Sequence, residues 1–335
     1  MIQTNGIHHV TAITSSAEKI YHFFTYTLGL RLVKKTINQD DIHTYHLFFA
    51  DDQGSPGTDM TFFDFPGSRP AVHGSDEISR TSFRVPTNEA LRYWVQRLDY
   101  YEVSHQPIRS LFDREWLFFE DFDGQAYALV SDEGLTGVAS GIPWQKGPVP
   151  NEFAITGLGP IYLRVKDAAL MDRVLVQTMG MRFLTTEGSY KLYETGLGGN
   201  GASVIVDVQP LLPEAIQGYG TVHHVAFSVH QANDLQEWML HLNANRTRHS
   251  GLIDRFYFKS LYSRIYPTIL FEFATEGPGF IDDEEGIETL GETLALPPAF
   301  RSMRAQIEAM VRPIDTTRSH LTLTKEYFND QGELL

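Results

Sequence analysis

Two histidine pairs in this sequence are candidates for metal binding. One pair is His8-His9 and the other is His223-His224, and each is followed by Val in a short strand-like run. Imidazole is the commonest metal ligand among side chains. An isolated His on a half-buried strand is usually satisfied by a hydrogen bond, but the recurrence of a pair at the same position in two runs favours a shared role.

Side-chain alternation along the strands selects one His from each pair. In the second run Val225, Phe227 and Val229 form an apolar set that is expected to face a helix. Because successive side chains of a strand point to opposite faces, His224 is predicted to point the other way, into the interior of a curved sheet. His9 has the equivalent position in the first run, so the pattern predicts His9 and His224 as the ligands.

A carboxylate occupies the same kind of inner face in a later run. Glu272 lies between Phe271 and Phe273, which predicts that it points inward. A buried carboxylate is costly unless a cation or hydrogen bonds compensate, although an ion pair with Arg255 is an alternative. Two imidazoles and one carboxylate leave coordination positions open and are typical of non-haem Fe(II); Zn, Mn and Ni accept a similar set.

An internal repeat provides the elements that must position these residues. The hexapeptide Thr-Leu-Gly-Leu-Arg-Leu at 27–32 recurs as Thr-Met-Gly-Met-Arg-Phe at 178–183. A second spacing recurs as well, that of Trp94, Leu98 and His105 at Trp238, Leu242 and His249. Such repeats indicate repeated supersecondary units. Each unit reads as βαβββ, and the four modules span about 6–65, 79–131, 157–208 and 221–276.

Four such modules predict an α+β fold in which pairs of modules form two curved barrels, followed by a C-terminal helical appendage. We divide the chain into a first domain, 1–133, a second domain, 152–276, and a C-terminal extension, 277–335, with a linker between the first two. A helix is expected at about 298–311. Because the predicted ligands come from the first and fourth modules, these two are expected to share one barrel and the other two to form the second.

Composition and charge exclude several classes of partner. The 335 residues contain 27 Lys and Arg against 42 Asp and Glu, for a formal net charge of −15, so binding to nucleic acid or to an anionic membrane is not expected. The absence of Cys excludes thiolate ligands and nucleophiles. Without a signal-peptide pattern or a long apolar run, we expect a cytoplasmic protein. Homo-oligomer formation is left open.

The ligand pattern and several motifs carry a resemblance to a known family. Modules with His in first strands and Glu in a last strand resemble the vicinal oxygen chelate superfamily, which includes glyoxalase I, fosfomycin-resistance proteins and extradiol dioxygenases. Five motifs narrow the resemblance to its hydroquinone ring-cleaving dioxygenases, over about residues 6–312. These motifs are Leu30-Arg31-Leu32-Val33-Lys34-Lys35-Thr36, Tyr45-His46-Leu47, Gly54-Ser55-Pro56-Gly57-Thr58, Asp254-Arg255-Phe256-Tyr257-Phe258-Lys259-Ser260 and Ala274-Thr275-Glu276-Gly277-Pro278-Gly279-Phe280.

The resemblance implies a glyoxalase-like fold and Fe(II) bound by His9, His224 and Glu272. It also implies a set of residues that act around the metal. This set is His8, Thr11, His223, Arg255 and Tyr262. One feature departs from the family, because the turn before the glutamate strand usually contains Gly and here reads Tyr-Pro-Thr at 266–268.

The resemblance also implies an individual role for several of these residues. His223 or His8 is a candidate proton shuttle, because imidazole titrates near neutral pH. Arg255 is placed to stabilise a developing oxyanion, and Tyr262 to approach the iron in the resting state. A purely structural cross-strand pair of Arg255 with Tyr262 is the alternative, and His46 is expected to be structural.

The implied activity is that of an oxidoreductase, an extradiol-type ring-cleaving dioxygenase that inserts both atoms of O₂ into a small aromatic diol of the hydroquinone type. One alternative is a glyoxalase-like metal-dependent isomerase or thiol transferase. Such enzymes usually need a fourth protein ligand, which Arg80, Ala128 and Pro160 do not offer. The other alternative is a non-catalytic aromatic- or quinone-binding protein. A substrate cavity inside the barrel is expected to be lined by aromatic side chains. The spacing of residues in the sequence leaves four candidates for this lining, Phe49, Phe62, Tyr257 and Tyr266.

Overall fold

The computed structural model describes residues 2–282, 284–329 and 331–335. The first module contains β1 (Ile7–Ile13), α1 (Ala17–His22) with a π-helical continuation (Phe23–Thr27), β2 (Arg31–Asn38), β3 (Asp41–Ala50) and β4 (Asp59–Phe63). The second contains β5 (Glu77–Val85), α2 (Asn88–Tyr100), β6 (Arg109–Leu111), β7 (Arg114–Glu120) and β8 (Ala126–Ser131). Both modules therefore follow the predicted βαβββ order.

The other two modules repeat this order. The third contains β9 (Gly157–Leu158), β10 (Ile161–Val165), α3 (Ala168–Asp172) with a π-helical continuation (Arg173–Thr178), β11 (Arg182–Glu187), β12 (Tyr190–Glu194), a 3₁₀ turn (Asn200–Ala202) and β13 (Ser203–Val208). The fourth contains β14 (Thr221–Val229), α4 (Ala232–Ala244), β15 (His249–Asp254), β16 (Lys259–Ser263) and β17 (Phe271–Thr275). Beyond it lie 3₁₀ turns (Ile287–Thr289, Pro298–Met303) and α5 (Arg304–Met310).

The strands form two sheets, and each sheet joins modules that are distant in sequence. The first and fourth modules form an eight-stranded sheet, the site sheet, in the order β15-β16-β17-β14-β1-β4-β3-β2. The second and third modules form the second sheet, in the order β11-β12-β13-β10-β5-β8-β7-β6, with β9 beside β5. The expected pairing of modules is thus confirmed. The boundaries 1–133 and 152–276 stay a prediction, and each sheet takes one module from each of these segments.

Helices cover the apolar face of each sheet, as the sequence pattern predicts. Helix α1 begins after Ser16, whose hydroxyl accepts a hydrogen bond from the backbone N–H of Lys19 at 3.3 Å, and its π-helical continuation is followed by Gly29 at φ +71°. On α4, Trp238 stacks on Phe273 with ring centroids 4.1 Å apart. The inner face of the site sheet is therefore left for polar side chains.

The C-terminal extension attaches to the site sheet through buried charges on β2. The fully buried Lys34 ammonium lies 2.7 Å from the Glu285 carboxylate and 3.3 Å from that of Asp282. The predicted helix at 298–311 is a 3₁₀ turn continued by α5. Among the described residues, no helix combines the length and hydropathy needed to span a bilayer.

Candidate metal centre

The three predicted ligands lie on neighbouring central strands of the site sheet. Strands β1 and β14 pair antiparallel with Thr11 opposite His224, and β14 pairs parallel with β17 with Ala226 opposite Glu272. The apolar side chains that alternate with them, such as Val225, lie in the helix-covered core. This alternation turns all three ligands to the concave face, where each is buried.

Their ligand atoms converge on one point. His9 Nε2 lies 3.1 Å from Glu272 Oε2, and His224 Nε2 lies 3.0 Å from the same oxygen. The two Nε2 atoms are 3.3 Å apart. The residues His9, His224 and Glu272 form a group whose ligand atoms lie within 4.8 Å of one another. The expected convergence is therefore present.

The Glu272 carboxylate has the surroundings of a metal ligand. It is fully buried, and neither of its oxygens accepts a hydrogen bond. Burial alone would raise the pKa of Glu272, but positive charge beside it, on protonated His9 and His224, outweighs burial and lowers the pKa well below its usual range. A buried, ionised carboxylate without hydrogen bonds is expensive unless a cation neutralises it. Two imidazole nitrogens and one carboxylate oxygen therefore fit a divalent transition metal.

His8 fixes the orientation and tautomer of His9. Its Nε2 lies 3.0 Å from the carbonyl oxygen of Thr275, which only accepts, so this nitrogen carries the proton. Burial, and next the neighbouring His9, lower the pKa of His8 to about 3, so the ring is neutral at neutral pH. Its Nδ1 then accepts from Nδ1–H of His9, 2.9 Å away. With Nδ1 of His9 held in this hydrogen bond, Nε2 is the ring nitrogen that faces Glu272 and is available to a metal.

His223 and Thr11 contact the second imidazole. Nδ1 of His223 lies 2.8 Å from Nδ1 of His224, and burial lowers the pKa of both rings, that of His223 to about 3. The Thr11 hydroxyl lies 3.0 Å from Nε2 of His224 and 2.7 Å from the hydroxyl of Thr61. The sequence placed Thr11 here but missed Thr61, whose contact depends on the β1–β4 register.

Arg255 and Tyr262 pair at the rim of the site. Arg255 Nε donates to the Tyr262 hydroxyl at 3.3 Å, and its Nη2 lies 2.9 Å from the Asp40 carboxylate. Burial alone would lower the pKa of Arg255, but Tyr262 and Asp40 outweigh it and raise that pKa, so the guanidinium stays charged. The Tyr262 ring lies 5.8 Å from that of His224. The cross-strand pairing thus exists beside the metal centre, and the catalytic roles stay a prediction.

A cavity of about 410 Å³ opens onto His9 and His224, within the range of small-molecule sites. Of the four aromatic residues that the sequence left undecided, Tyr257 lines it. Phe49 and Phe62 lie in the apolar core, and Tyr266 donates to Asp76. The aromatic lining that the sequence missed is Phe48, Phe63, Phe65 and Phe258.

His46 also lines the cavity. Its Nε2 lies 2.9 Å from the Thr61 hydroxyl, which continues the contact to Thr11. Cross-strand neighbours of this kind depend on strand register and sheet curvature, and a single sequence carries little signal for either. Alternation on β4 alone would have suggested Thr61 as an inner-face residue.

Comparisons with known proteins agree with this fold and site. No protein-family model matches the chain. The chain is 40% identical over 318 residues to "Putative ring-cleaving dioxygenase MhqA" of Bacillus subtilis, covering 93% of this chain and 100% of the relative. It is 29% identical to "Chlorohydroquinone/hydroquinone 1,2-dioxygenase" of Sphingobium indicum, over 91% and 95% of the two chains.

Solved structures show the same relationship. A crystal structure named as a dioxygenase of B. subtilis matches with a TM-score of 0.87 and 33% identity, covering 95% of this chain and 100% of the other. Glyoxalase I of Zea mays shares the fold alone, with a TM-score of 0.58, 12% identity and coverage of 81% and 92%. The chain therefore belongs to the ring-cleaving dioxygenase family and has a glyoxalase-like fold.

Proposed function

We propose that this protein is an Fe(II)-dependent, extradiol-type dioxygenase that opens the ring of a hydroquinone-type diol with O₂. The observation that carries the proposal is the convergence of His9, His224 and Glu272 at the wall of an aromatic-lined cavity. A relative named for activity on hydroquinone and chlorohydroquinone supports the substrate class.

His9, His224 and Glu272 would hold the metal. Bound there, Fe(II) supplies open coordination positions and the redox chemistry that lets a diol react with O₂. Zn, Mn and Ni accept the same donor set, and we favour iron because ring cleavage with O₂ calls for a redox-active metal. The absence of Cys from the chain agrees with a site made of imidazole and carboxylate alone.

The chain's own residues bind and orient the diol and move its proton. His223 lines the cavity beside His224, so its imidazole is the group to which we assign proton transfer from a substrate hydroxyl. Arg255 places a permanent positive charge at the same wall, where it stabilises negative charge on a ring oxygen. His8 is buried away from the cavity lining, so we assign it to orienting His9 rather than to proton transfer.

The fourth coordination site argues against the isomerase alternative. Thr61 on β4 pairs with Thr11, which lies two residues after His9. In the same way, Glu272 on β17 pairs with Ala226, which lies two residues after His224. Thr61 is therefore the position equivalent to Glu272 in the first module. A hydroxyl that contacts Thr11 and His46 is a poor fourth ligand for a glyoxalase-like metal site.

Oxygen uptake tests the proposed function. The protein is reconstituted anaerobically with Fe(II), and an oxygen electrode follows uptake with hydroquinone, methylhydroquinone, chlorohydroquinone and catechol. We expect stoichiometric uptake with the hydroquinones and ring-opened products by mass spectrometry. The Zn(II)-loaded protein is the control and should consume no O₂. Absence of uptake with every diol from the iron-loaded protein would favour the isomerase or the binding protein.

A further inference from the structure

Each sheet ends in two outermost strands, and three of these four edges are protected. The site sheet ends in β2 and β15, and the second sheet ends in β6 and β11. The Lys35 carbonyl of β2 accepts from the backbone N–H of Ala295, in the C-terminal extension, at 2.9 Å. Strand β6 has three residues, and the ladder of β15 is interrupted after His249, where Gly251 has φ +77°. Covered, short or irregular edges of this kind resist pairing with another chain.

Strand β11, the remaining edge, is exposed along its whole length. All six residues of Arg182–Glu187 are exposed, including 48% of Phe183 and 44% of Leu184. The Arg182 guanidinium donates at 3.0 Å to the carbonyl of the residue before Leu197, so Leu197, which is 80% exposed, lies near the same edge. An exposed edge strand with apolar side chains is a template for pairing with another chain.

The sequence of β11 is complementary to itself. It reads Arg-Phe-Leu-Thr-Thr-Glu at 182–187. When two copies of β11 pair antiparallel about a two-fold axis at the middle of the strand, Arg182 of each copy lies opposite Glu187 of the other. In such an interface each contact occurs twice. Opposite charges directly across two strands stabilise the pair, and like charges destabilise it. The strand therefore fits a second copy of this chain.

An irregularity in β11 places these two charges on the same face. In a regular strand, residues five apart point to opposite faces, whereas residues directly opposite each other in an antiparallel pair share a face. The pairing of β11 with β12 skips Leu184. Before the skip, Arg182 lies opposite Glu194. After it, Glu187 lies opposite Tyr190. Because these two β12 residues are four apart, Arg182 and Glu187 share one face, as direct opposition of two copies requires.

Both charges are available to a partner. The Arg182 side chain is 45% exposed, and the Glu194 carboxylate with which it pairs is 3.9 Å away. Glu187 accepts from the backbone N–H of Phe112 at 2.7 Å and has no ion pair among the described residues. The hydrogen bond from Phe112 holds the Glu187 carboxylate at the edge of the sheet. An exposed ion pair as loose as that of Arg182 contributes little, so its exchange for a pair across an interface costs little.

We propose that β11 pairs with β11 of a second copy, so that the second sheets of two chains form one continuous sheet across a two-fold axis. Arg182 and Glu187 set the register, and the dimer covers Phe183, Leu184 and Leu197. The cavity beside the metal centre is lined by residues of the first and fourth modules, so this interface leaves it open in each copy. The proposal assigns assembly to the second sheet and is independent of the proposed activity.

Charge reversal tests the pairing. In analytical ultracentrifugation we expect the unaltered chain to sediment as a dimer. Arg182→Glu and Glu187→Arg each bring like charges together twice in the dimer, and each should weaken dimerisation at least about 10-fold. An equimolar mixture of the two variants should restore dimers, because every reversed residue then meets an opposite charge on the other copy. Mixing would not repair a defect of folding.

Two further variants distinguish this edge from the rest of the surface. Leu184→Lys places a charge at the centre of the interface and leaves the intrachain bonds of Arg182 and Glu187 intact, so it should yield monomers with an unchanged circular dichroism spectrum. Leu252→Lys is the matched control, because Leu252 is also 44% exposed and lies on β15, an outermost strand of the site sheet. This variant should remain a dimer.

Three results would overturn the proposal. They are a monomeric unaltered protein, a dimer that persists in Arg182→Glu, Glu187→Arg and Leu184→Lys, and failure of the two charge-reversed variants to associate when mixed. Loss of the dimer in Leu252→Lys would also contradict it, because the interface would then lie at the edge of the site sheet.

Discussion

The two sheets share one topology, but equivalent positions hold different chemistry. In the site sheet Thr11 lies opposite His224, and in the second sheet Tyr162 lies opposite Arg80 in the same register. The neighbours of Glu272 are Ala226 and Tyr262, whereas those of its equivalent, Ala128, are Ser82 and Phe118. Where one sheet brings a candidate metal-ligand set together, the other has an Arg and an Ala.

The interior of the second sheet is filled rather than hollow. The Arg80 guanidinium lies 4.7 Å from the Phe118 ring centre and 5.4 Å from that of Tyr162. Trp116 packs against Tyr162, with centroids 5.8 Å apart. Cation–π contacts and aromatic packing occupy the space that the site sheet leaves for a ligand. The repeat thus provides two equivalent concave faces, and side-chain chemistry decides which one becomes a site.

Removal of the carboxylate should have the largest effect on this difference. Glu272→Ala leaves two imidazoles and no acid at the site. The second sheet likewise has no acid at the equivalent position, Ala128. We expect the iron affinity to fall at least about 100-fold, beyond the range seen when residues that support a ligand are lost, with dioxygenase activity lost as well. Metal analysis after gel filtration measures the loss.

The control for this prediction is Glu276→Gln, on the same segment. Glu276 is half-exposed and bonds Ser228 and His230 rather than the metal ligands. This variant should keep its iron. Stoichiometric iron in Glu272→Ala would contradict the ligand set.

Replacement of the cation in the second sheet should affect stability and not the metal. Arg80→Ala removes the group that packs between Phe118 and Tyr162, and we expect a loss of about 2 kcal/mol in the free energy of unfolding. Urea denaturation gives this value, and the iron content of the variant should stay unchanged. Lost iron with unchanged stability would mean that the second sheet contributes to the site.

The sequence predicts the ligands but not their surroundings. Alternation on β14 and β17 places His224 and Glu272 on the concave face, and the repeat extends this to His9, because strand periodicity is a local property. Thr61 comes from another strand, so its contacts with Thr11 and His46 depend on register and on how far the sheet curves. Neither property is encoded locally, and the same limit applies to the aromatic lining.

The turns that precede β17 and β8 extend the comparison. In the turn before β8, Asp121 Oδ1 accepts from the backbone N–H groups of Asp123 and Gln125 at 2.9 and 3.0 Å, and the Tyr127 hydroxyl donates to Oδ2 at 3.1 Å. Burial raises the pKa of Asp121 to about 7. By the same repeat offset, the turn before β17 has Ile265 at this position.

Stability should therefore depend on pH through Asp121. In the unfolded chain this carboxyl loses its proton near its ordinary pKa of 3.8, and in the fold near 7, so its contribution to stability falls as the pH rises between these values. Asp121→Asn keeps a side-chain oxygen that can accept from the two backbone N–H groups, and it removes the negative charge. We expect the variant to gain about 1–2 kcal/mol over the unaltered protein at pH 8 and little at pH 4. Denaturation at both pH values measures this gain, and an equal difference at both would refute the assignment.

The smallest expected effect is that of replacing Thr268, in the turn that precedes β17. Thr268 has φ +71°, and its equivalent in the second module is Gly124 at φ +75°, so both turns use the left-handed conformation. A β-branched residue is strained there, whereas Gly is not. The Thr268 hydroxyl offsets part of this strain by donating to the carbonyl of Asp76 at 2.5 Å.

Exchange of residues between these turns tests that account. Thr268→Gly should raise the free energy of unfolding by about 0.5 kcal/mol, because relief of strain slightly exceeds the lost hydrogen bond and the added freedom of the unfolded chain. Gly124→Thr should lower it by about 1–2 kcal/mol, since no equivalent bond compensates the left-handed conformation and the space around Gly124 is open. If Gly124→Thr were neutral in denaturant titrations, strain at this φ would not explain the family's preference for Gly, and a packing or functional constraint on the turn would have to replace it.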